Sequence, residues 1–448
     1  MEKRITILGA GLVGSLLSIY LAKRGHKVHI YERRGDMRTE KMSAGRSINL
    51  ALSDRGWRGL QGIGIDNEIR KVAIPMKGRV IHHISGEIDF QPYGEKDQAI
   101  WSVSRAGLNM ELMNLAERIG KVGIIFNERC AGIDVRTATA HFENQVTGKH
   151  SDVASDMVFS ADGAFSAGRL QLQLSTDRFE YSQHYIEHGY KELNIPAGKN
   201  GEWLIEKNAL HIWPRGGYML IALPNMDGSF TCTLFFPFDG NPSFSSIPDV
   251  KALKEFFGRV FPDAVPLMPT LEHDFFANPT GSLVTVKCFP WSFKDKLCLI
   301  GDAAHAIVPF FGQGMNCGFE DCTVLDSLMN GAGDNWEKLF HDFEKARKPN
   351  SDAIADLALQ NFIEMRDLVG DKKFLLRKKI EARFHERHPD KWLSLYSQVT
   401  FSPEIPYSTA LASGKKQDAI MNKVMAVDGI EGKWDSEEVE NMMMKLVS

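Results

Sequence analysis

Three glycines near the N-terminus have the spacing of a loop that binds phosphate groups. Gly9, Gly11 and Gly14 form a G-x-G-x-x-G pattern directly after the apolar residues 5–8. Gly9 permits a tight turn, Gly11 has no Cβ to block a pyrophosphate, and Gly14 lets the following helix pack closely on the strand. That helix, predicted from residue 12 to about 24, directs its free N–H groups and its positive dipole end at the phosphates.

An acidic residue completes a nucleotide-binding unit. Residues 28–31 predict a second strand. Glu32 follows it, about twenty residues after the glycines, where a carboxylate accepts hydrogen bonds from ribose hydroxyls. An acid here repels a ribose 2′-phosphate, so the unit is predicted to hold FAD or NAD rather than NADP. The alternative, a signal peptide, fits less well, because the glycines suit a spanning helix poorly.

Two later segments share the pattern of a short strand that ends at an aspartate. They are VFSADGAFSAGR around Asp162 and LCLIGDAAHAIVPFFGQGMN around Asp302. Taken alone, the Asp-Gly pair at 162–163 is typical of an ordinary turn. Asp302 can accept a bond from a ribityl hydroxyl, and the helix predicted to begin near Met315 can stabilise negative charge on a reduced flavin. His305 is interpreted as a structural hydrogen bonder rather than a catalytic base.

The order of the three segments decides between cofactors. A NAD-dependent dehydrogenase needs only the first segment. A chain that carries all three is predicted to surround one long FAD, gripped at its adenosine, its pyrophosphate and its flavin.

The bulk composition excludes several classes of protein. The 448 residues are 43% apolar and 25% charged, which is typical of a globular chain with two or more cores. A net charge of −4 argues against a nucleic-acid binder, which needs a basic face. The six cysteines contain no C-x-x-C pair, so no metal site is predicted, and scattered thiols fit a reducing compartment. No apolar stretch has the length of a bilayer span, so a cytoplasmic protein is predicted.

The three segments resemble those of the FAD-dependent aromatic hydroxylases, the single-component flavin monooxygenases of the para-hydroxybenzoate hydroxylase type. This resemblance covers residues 1 to about 330. Further strings match one branch of that family, namely GRSINLALSDRGWRGL from Gly45, QPYG from Gln91, HIWPRGGYMLIALPN from His211, VPFFGQGMNCGFEDC from Val308 and NFIEMRD from Asn361. The Asp-Gly segment departs from the family, because Ser160 and Gly168 stand where a glycine and a branched residue are expected.

The resemblance implies a set of cofactor contacts. Besides the three glycines, the residues implied to contact FAD are Val13, Tyr31, Glu32, Arg33, Arg34, Ala51, Arg105, Asp302, Met315 and Asn316. Within this set, the stretch 31–34 would surround the adenosine ribose. Met315 and Asn316 would contact the cofactor at the start of a helix.

The resemblance also implies a reaction. NADPH reduces FAD, the reduced flavin and O₂ give a C(4a)-hydroperoxide, and its distal oxygen is transferred to an aromatic ring. The narrower match implies L-kynurenine as the substrate and 3-hydroxykynurenine as the product. A dry floor that excludes water from the reacting oxygen would be formed by Pro309, Phe310, Phe311 and Gly312. The amino-acid end of the substrate would be held by Arg79, Tyr93, Asn361 and Tyr396.

Charge and hydrogen bonding make that last set reasonable. A free carboxylate suits a guanidinium, while the tyrosines and the amide add further donors. Two alternatives remain open at this point: a flavin hydroxylase of another anionic aromatic, and a flavin-binding protein without turnover. The side chains that contact the substrate ring also stay open, since each candidate could equally belong to the core. These candidates are Met219, Ile221, Phe235 and Met365.

The chain is predicted to have an α/β fold with three parts. A Rossmann-like FAD-binding domain is discontinuous and takes residues 1–75, 100–178 and 285–365. A mixed β-sheet substrate domain, inserted into it, takes residues 76–99 and 179–284 and covers the flavin. Residues 366–448 have apolar positions at helical spacing and form a C-terminal helical region.

Overall fold

A mostly parallel sheet lies at the centre of the structure, a computed structural model that describes residues 1–39, 49–94, 97–368 and 371–447. Five of its six strands run parallel to their neighbours. In spatial order the strands are Ser292–Phe293, Leu297–Leu299, Met157–Ser160, Arg4–Leu8, Lys27–Tyr31 and Val122–Ile125. The inner strands are apolar and buried, as expected for a parallel sheet covered on both faces.

The carboxyl ends of the parallel strands bring the three sequence segments together. Gly9 and Glu32 each follow one of two adjacent strands, and Asp162 and Asp302 lie just beyond the ends of the two strands on the other side. Ligands of open α/β sheets bind outside the carboxyl ends of the strands. The sheet therefore assembles one candidate site from segments that are far apart in the sequence.

Helices and two small antiparallel sheets surround the parallel sheet. The helices are Leu12–Lys23, Asp54–Ile63, Asp66–Arg70, Arg105–Arg118, Ala167–Ser175, Asp302–His305 and Gly314–Ala332. The strands of the small sheets are Glu128–Asp134, Thr139–Asn144 and His150–Ala154 in one, and Asn49–Leu52, Ile100–Ser104 and Ile74–Met76 in the other. Ser104 caps the helix Arg105–Arg118, since its Oγ accepts the Gly107 N–H at 3.2 Å. Arg105 therefore lies in the first turn of that helix.

A seven-stranded mixed sheet forms a second layer. In spatial order its strands are Gly281–Phe289, Glu180–Ile195, Phe230–Pro237, Met219–Pro224, Ala209–Pro214, Gly78–His82 and Ile88–Pro92. One face packs on a helical segment made of Val250–Val260, Val265–Leu267 and Leu271–Ala277. The other face places Met219 and Phe235 in an apolar cluster with Phe310. The sheet thereby forms a wall beside the candidate site.

The last part of the chain is helical, as the sequence predicted. Its helices are Trp336–Ile363, Lys372–Arg387, Leu395–Thr400, Tyr407–Met425, Ile430–Lys433 and Glu437–Val447. The first of these continues into a π-helical turn, Glu364–Leu368, a feature frequent at functional sites. None of the helices in the described ranges has both the length and the apolar character needed to cross a bilayer. The predicted fold class is confirmed.

The first prediction concerns the close contact between the glycine loop and the first helix. A Cβ built on Gly14 would lie 2.1 Å from the Gly9 carbonyl oxygen, whereas a Cβ on Gly11 would meet nothing within 4 Å. We expect Gly14→Ala to lower the free energy of unfolding by about 1–3 kcal/mol, because the backbone must shift. Gly11→Ala is the matched control and should change it by less than about 0.5 kcal/mol. Urea unfolding of the ligand-free proteins measures both, and equal stability of the two variants would contradict the packing argument.

Candidate cofactor and substrate site

The glycine loop is fixed from both sides of the Ala10 peptide. The Ala10 N–H donates to Glu32 Oε2 at 3.0 Å, and Asn109 Nδ2 donates to the Ala10 oxygen at 3.0 Å. Gly9 has a φ of +92°, which favours glycine. The space beside Gly11 is open. The sequence analysis missed Asn109, because its part in the loop depends on how the Arg105–Arg118 helix packs.

The first helix presents free N–H groups to the same open space. The helix Leu12–Lys23 begins without a side-chain cap at its N-cap residue, Gly11. The N–H groups of a first helical turn have no partner within the helix, and a phosphate can satisfy them. The residues present therefore fit the pyrophosphate of FAD.

The carboxylate of Glu32, predicted to bind the adenosine ribose, is held in place by hydrogen bonds. Its Oε1 accepts both the backbone N–H of Arg34 at 3.0 Å and the Arg34 Nε at 2.9 Å. The carboxylate is buried but has lone pairs left for ribose hydroxyls. Arg33 and Arg34 are exposed beside it. The Tyr31 ring instead stacks on Phe142 with centroids 4.2 Å apart, so Tyr31 supports the loop from the protein side.

Asp302 and Arg105, two charged side chains predicted to contact FAD, have no hydrogen-bond partner among the described residues. Asp302 lies deep among protein atoms, yet its carboxylate is accessible and accepts no hydrogen bond within the described chain. Burial raises the pKa of Asp302, while the charges of His305 and Arg105 oppose that rise. Arg105 is exposed and likewise has no hydrogen bond or ion pair among the described residues. Both groups are free to bind a ligand.

Val13 and Asn316 join the first and third segments. A Cβ on Gly301 would lie 3.1 Å from Val13, and a Cβ on Gly318 would lie 2.5 Å from it, so Val13 fits between two glycines. Asn316 Nδ2 donates to the Ala51 oxygen at 2.8 Å. Because protein groups engage this amide, a contact of Asn316 with FAD would come from its backbone N–H. Met315 precedes it in the same first helical turn.

The segment around Asp162 is hydrogen-bonded to the segment around Asp302. Arg169 Nη1 donates to the Ala303 oxygen at 2.9 Å, next to Asp302. Ser160 and Gly168, where the sequence departs from the family pattern, are complementary: a Cβ on Gly168 would lie 2.2 Å from Ser160 Oγ. The side chain of Ser160 therefore occupies the space that the glycine at position 168 leaves open.

The predicted substrate residues form a cluster at the other end of the site. The rings of Tyr93 and Tyr396 stack with centroids 5.0 Å apart, and the Arg79 guanidinium carbon lies 5.3 and 5.0 Å from them. Among the described residues neither the buried Arg79 Nε nor the buried Tyr93 hydroxyl makes a hydrogen bond of normal geometry. Buried donors without acceptors are costly, so they mark a place for an acceptor on a ligand. Burial raises the pKa of both phenols, which therefore remain donors.

Asn361 connects this cluster to the predicted floor. Its Nδ2 donates to the Phe310 oxygen at 2.7 Å. Phe310 belongs to the 3-10 turn Pro309–Phe311, which Gly312 ends with a φ of +67°. The Phe311 ring faces Tyr396 at 5.6 Å. The structure thus brings the four predicted floor residues next to the four predicted substrate residues.

Apolar side chains pack around the predicted floor. The Phe310 ring stacks on Phe362 at 4.1 Å and meets Phe235 at 4.9 Å. The remaining sequence candidates for ring contacts, Met219, Ile221 and Met365, belong to or pack against the same apolar cluster. This part of the site is therefore apolar and buried.

Glu364 is a member of this site that the sequence analysis missed. It lies in the π-helical turn, and its Oε1 is 3.8 Å from Arg79 Nη1. It comes three residues after Asn361 in the string NFIEMRD. Side chains three apart on a helix share a face, so this spacing was the available signal. A carboxylate beside Arg79 can accept a hydrogen bond from the ammonium group of an amino acid.

His305 is structural, as interpreted from the sequence. His305 Nε2 lies 2.6 Å from Asp321 Oδ2, which also accepts the Gly301 N–H at 3.0 Å. With Cys317 these side chains could in principle hold a metal ion. The positive charge beside these side chains is instead the guanidinium of Arg347. Its Nε donates to Asp321 Oδ1 at 2.6 Å and its Nη2 donates to Cys317 Sγ at 3.2 Å.

Comparison with known proteins identifies the family. The chain matches the family described as FAD binding domain over residues 2–228 and 288–358. The kynurenine 3-monooxygenase of Flavobacterium johnsoniae is 51% identical over 99% of this chain and 98% of its own length. That of Myxococcus xanthus is 52% identical over 94% of this chain and 90% of its own.

The chain belongs to the kynurenine 3-monooxygenase family. It is therefore an FAD-dependent monooxygenase, and the predicted family resemblance is confirmed. Among solved structures, 2-methyl-3-hydroxypyridine-5-carboxylic acid oxygenase superposes with a TM-score of 0.66 at 21% identity, over 82% of this chain and 94% of its own. At that identity the likeness shows the fold alone.

The second prediction concerns the buried His305–Asp321 pair of this family member. Burial alone would lower the pKa of His305, but Asp321 outweighs it and holds that pKa well above the ordinary value of about 6.5. A raised pKa contributes stability that is complete below about pH 6.5 and is lost as the pH rises through the folded value. The melting temperature of His305→Gln should therefore fall furthest below that of the wild type near pH 6, and the gap should narrow toward pH 9.

The control for this prediction is His141→Gln, which removes an exposed histidine paired with Asp152. Exposed pairs contribute little, so this variant should melt close to the wild type at each pH. Differential scanning fluorimetry of the FAD-loaded proteins measures both gaps. A gap for His305→Gln that widens with rising pH would contradict the assignment of a protonated His305.

Proposed function

We propose that this protein hydroxylates L-kynurenine to 3-hydroxykynurenine, using FAD, NADPH and O₂. Family membership supports the reaction. The observation that carries the substrate assignment is the pair of buried donors that lack a hydrogen bond of normal geometry, Arg79 Nε and the Tyr93 hydroxyl, next to an apolar cluster. A carboxylate at one end and an aromatic ring at the other are the features such a site accommodates.

We propose that Arg79 holds the carboxylate of the substrate. A guanidinium can donate two parallel hydrogen bonds to a carboxylate. The phenol hydroxyls of Tyr93 and Tyr396 remain protonated and add donors. Glu364 would accept a hydrogen bond from the ammonium group of the substrate. Asn361, through its hydrogen bond to the Phe310 oxygen, would fix the position of the carboxylate-binding cluster relative to the Phe310 turn.

We propose that FAD lies between the glycine loop and the Pro309–Gly312 floor. The glycine loop and the first helix bind its pyrophosphate, Glu32 binds its ribose, and Arg105 and Asp302 bind toward the flavin end. When bound, FAD takes up reducing equivalents from NADPH and activates O₂ for transfer to the substrate ring. The other named contacts remain those implied by the sequence, namely Val13, Tyr31, Arg33, Arg34, Ala51, Met315 and Asn316.

The contribution of the protein to the reaction is placement and exclusion of water. The floor residues Pro309, Phe310, Phe311 and Gly312 are proposed to keep the reacting oxygen dry. The amino group on the substrate ring directs electron density to the neighbouring carbon, so the ring accepts an electrophilic oxygen without a strong protein base. His305 is engaged by Asp321 and takes no part in the transfer.

Two further expectations are kept as proposals. The discontinuous FAD-binding domain takes residues 1–75, 100–178 and 285–365, the substrate domain 76–99 and 179–284, and the helical region 366–448. We also propose a cytoplasmic location. The six cysteines are free thiols, which is the state that a reducing compartment maintains.

The third prediction tests the reaction itself. The purified protein should be yellow, and L-kynurenine should stimulate its oxidation of NADPH, with 3-hydroxykynurenine detected by mass spectrometry. A panel of anionic aromatic acids without the amino-acid end is the control and should stimulate weakly, since the Arg79 end stays unfilled. If another member of the panel stimulated NADPH oxidation more strongly, that compound and not L-kynurenine would be the substrate. A yellow protein that turns over no compound would have a flavin-binding function only.

The fourth prediction tests the carboxylate clamp. Arg79→Ala should raise KM for L-kynurenine about 10- to 100-fold, the effect of losing hydrogen bonds to a charged group. FAD should stay bound, because no proposed cofactor contact is removed. Steady-state kinetics and flavin fluorescence measure the two effects. Loss of FAD, or an unchanged KM, would show that the clamp lies elsewhere.

Two variants refine this test. Arg79→Lys keeps the charge but lacks the planar fork, so its KM should lie between those of the wild type and Arg79→Ala. Glu364→Gln should weaken binding of L-kynurenine and leave binding of the analogue without the α-amino group unchanged. An equal effect on both compounds would remove Glu364 from the ammonium site.

A further inference from the structure

A buried arginine outside the proposed contacts binds the end of the helix that carries Tyr396. Arg55 is 1% exposed and lies in the helix Asp54–Ile63. Its Nε donates to the Val399 oxygen at 2.8 Å, and its Nη2 donates to the Gln398 oxygen at 3.3 Å. These carbonyls belong to the last turn of the six-residue helix Leu395–Thr400, here called the Tyr396 helix.

The same guanidinium also holds the chain that follows the Tyr396 helix. Nη2 donates to the Ser402 oxygen at 3.3 Å and to the Ile405 oxygen at 2.5 Å. The guanidinium carbon lies 3.9 Å from the centroid of the Tyr407 ring. One planar group therefore closes the end of the helix and the turn after it.

This capping matters because the Tyr396 helix is too short to stand alone. Isolated helices of that length are unstable in water, and the last carbonyls of a helix lack partners within it. A cationic side chain that binds those carbonyls stabilises the end of the helix. The position of Tyr396 beside Tyr93 and Phe311 depends on where this helix is held.

A ladder of buried ion pairs connects Arg55 to the flavin side of the site. Glu320 accepts from Arg55 Nη1 and from Arg347 Nη1, both at 2.5 Å. Arg347 Nε binds Asp321 Oδ1 at 2.6 Å, and Asp321 Oδ2 accepts the Gly301 N–H at 3.0 Å. Gly301 directly precedes Asp302. The ladder thus joins the end of the Tyr396 helix to the turn that presents the proposed flavin contact.

We infer that Arg55 is a positioning residue for substrate binding: it caps the Tyr396 helix, sets Tyr396 beside Arg79, and ties that helix through Glu320 and Arg347 to the Gly301 turn. The inference deepens the proposed function and, for its kinetic effect, rests on it. Arg55 itself touches neither the proposed substrate nor the proposed cofactor.

The main test variant is Arg55→Lys. A lysine keeps the charge beside Glu320, so no buried carboxylate is left unpaired. A single ammonium group cannot serve the four carbonyls as the planar fork does. Arg58→Met is the matched control, because Arg58 lies one turn along on the same helix, is exposed, and donates to the Pro403 oxygen of the same chain segment.

Hydrogen–deuterium exchange of the FAD-loaded enzyme without substrate gives the first readout. In Arg55→Lys, a peptide covering residues 393–406 should exchange faster than in the wild type and in Arg58→Met, while peptides of the glycine loop stay unchanged. Unchanged exchange at 393–406 would overturn the capping role. This readout decides the role of Arg55 even if L-kynurenine proves not to be the substrate.

Kinetics give the second readout. KM for L-kynurenine should rise about tenfold in Arg55→Lys, with FAD affinity unchanged. Tyr396→Phe should raise KM less in the Arg55→Lys background than in the wild type, since residues that act through one another are not additive. Additive effects, or a loss confined to FAD binding, would overturn the inference. If Arg55→Lys does not accumulate as holoenzyme, both measurements are made on Glu320→Gln. Exchange at 393–406 should then be faster and KM higher than in the wild type, each by a smaller amount than expected for Arg55→Lys.

Discussion

The contact of Val13 with two glycines is the constraint on which the assembled site depends. Gly301 and Gly318 leave room for the Val13 side chain, and a Cβ on either would press into it. Val13 lies two residues beyond Gly11, while Gly301 begins the Asp302 turn. The close approach therefore sets the distance between the glycine loop and the Asp302 turn, the proposed pyrophosphate and flavin ends of the site. A long cofactor can be gripped at both ends only if that distance is fixed.

Buried charge provides the second level of organisation. Arg55, Glu320, Arg347 and Asp321 lie out of water, where an ion pair gains little net stability because desolvation opposes the attraction. Their arrangement is explained better by geometry than by stability. Each carboxylate has two oxygens directed at different partners, so the ladder fixes helices from three regions of the chain relative to the Gly301 turn.

The local patterns of the sequence were sufficient to predict the strands, the glycine turn and the acid that follows the second strand, Glu32. Each depends on residues that are close in sequence. Asn109 and Arg55 escaped prediction because their partners, the Ala10 peptide and the carbonyls near residue 400, come from distant segments. The family resemblance supplied the predicted substrate residues, which periodicity alone could not distinguish from core tyrosines and surface arginines. The departure at Ser160 and Gly168 became intelligible only when the two were seen in contact.

The hydrogen bond from Asn361 to the Phe310 oxygen suggests how the site distinguishes substrates. It links the charged end to the apolar floor, so a ligand must satisfy both at a fixed separation. A site built to hydrogen-bond a polar group rejects analogues that lack it, because its buried donors are then left unpaired. An apolar pocket alone discriminates far less. If L-kynurenine is the substrate, as proposed, its amino-acid end determines which aromatic compound is accepted, and the apolar cluster mainly determines where on the ring the oxygen is placed.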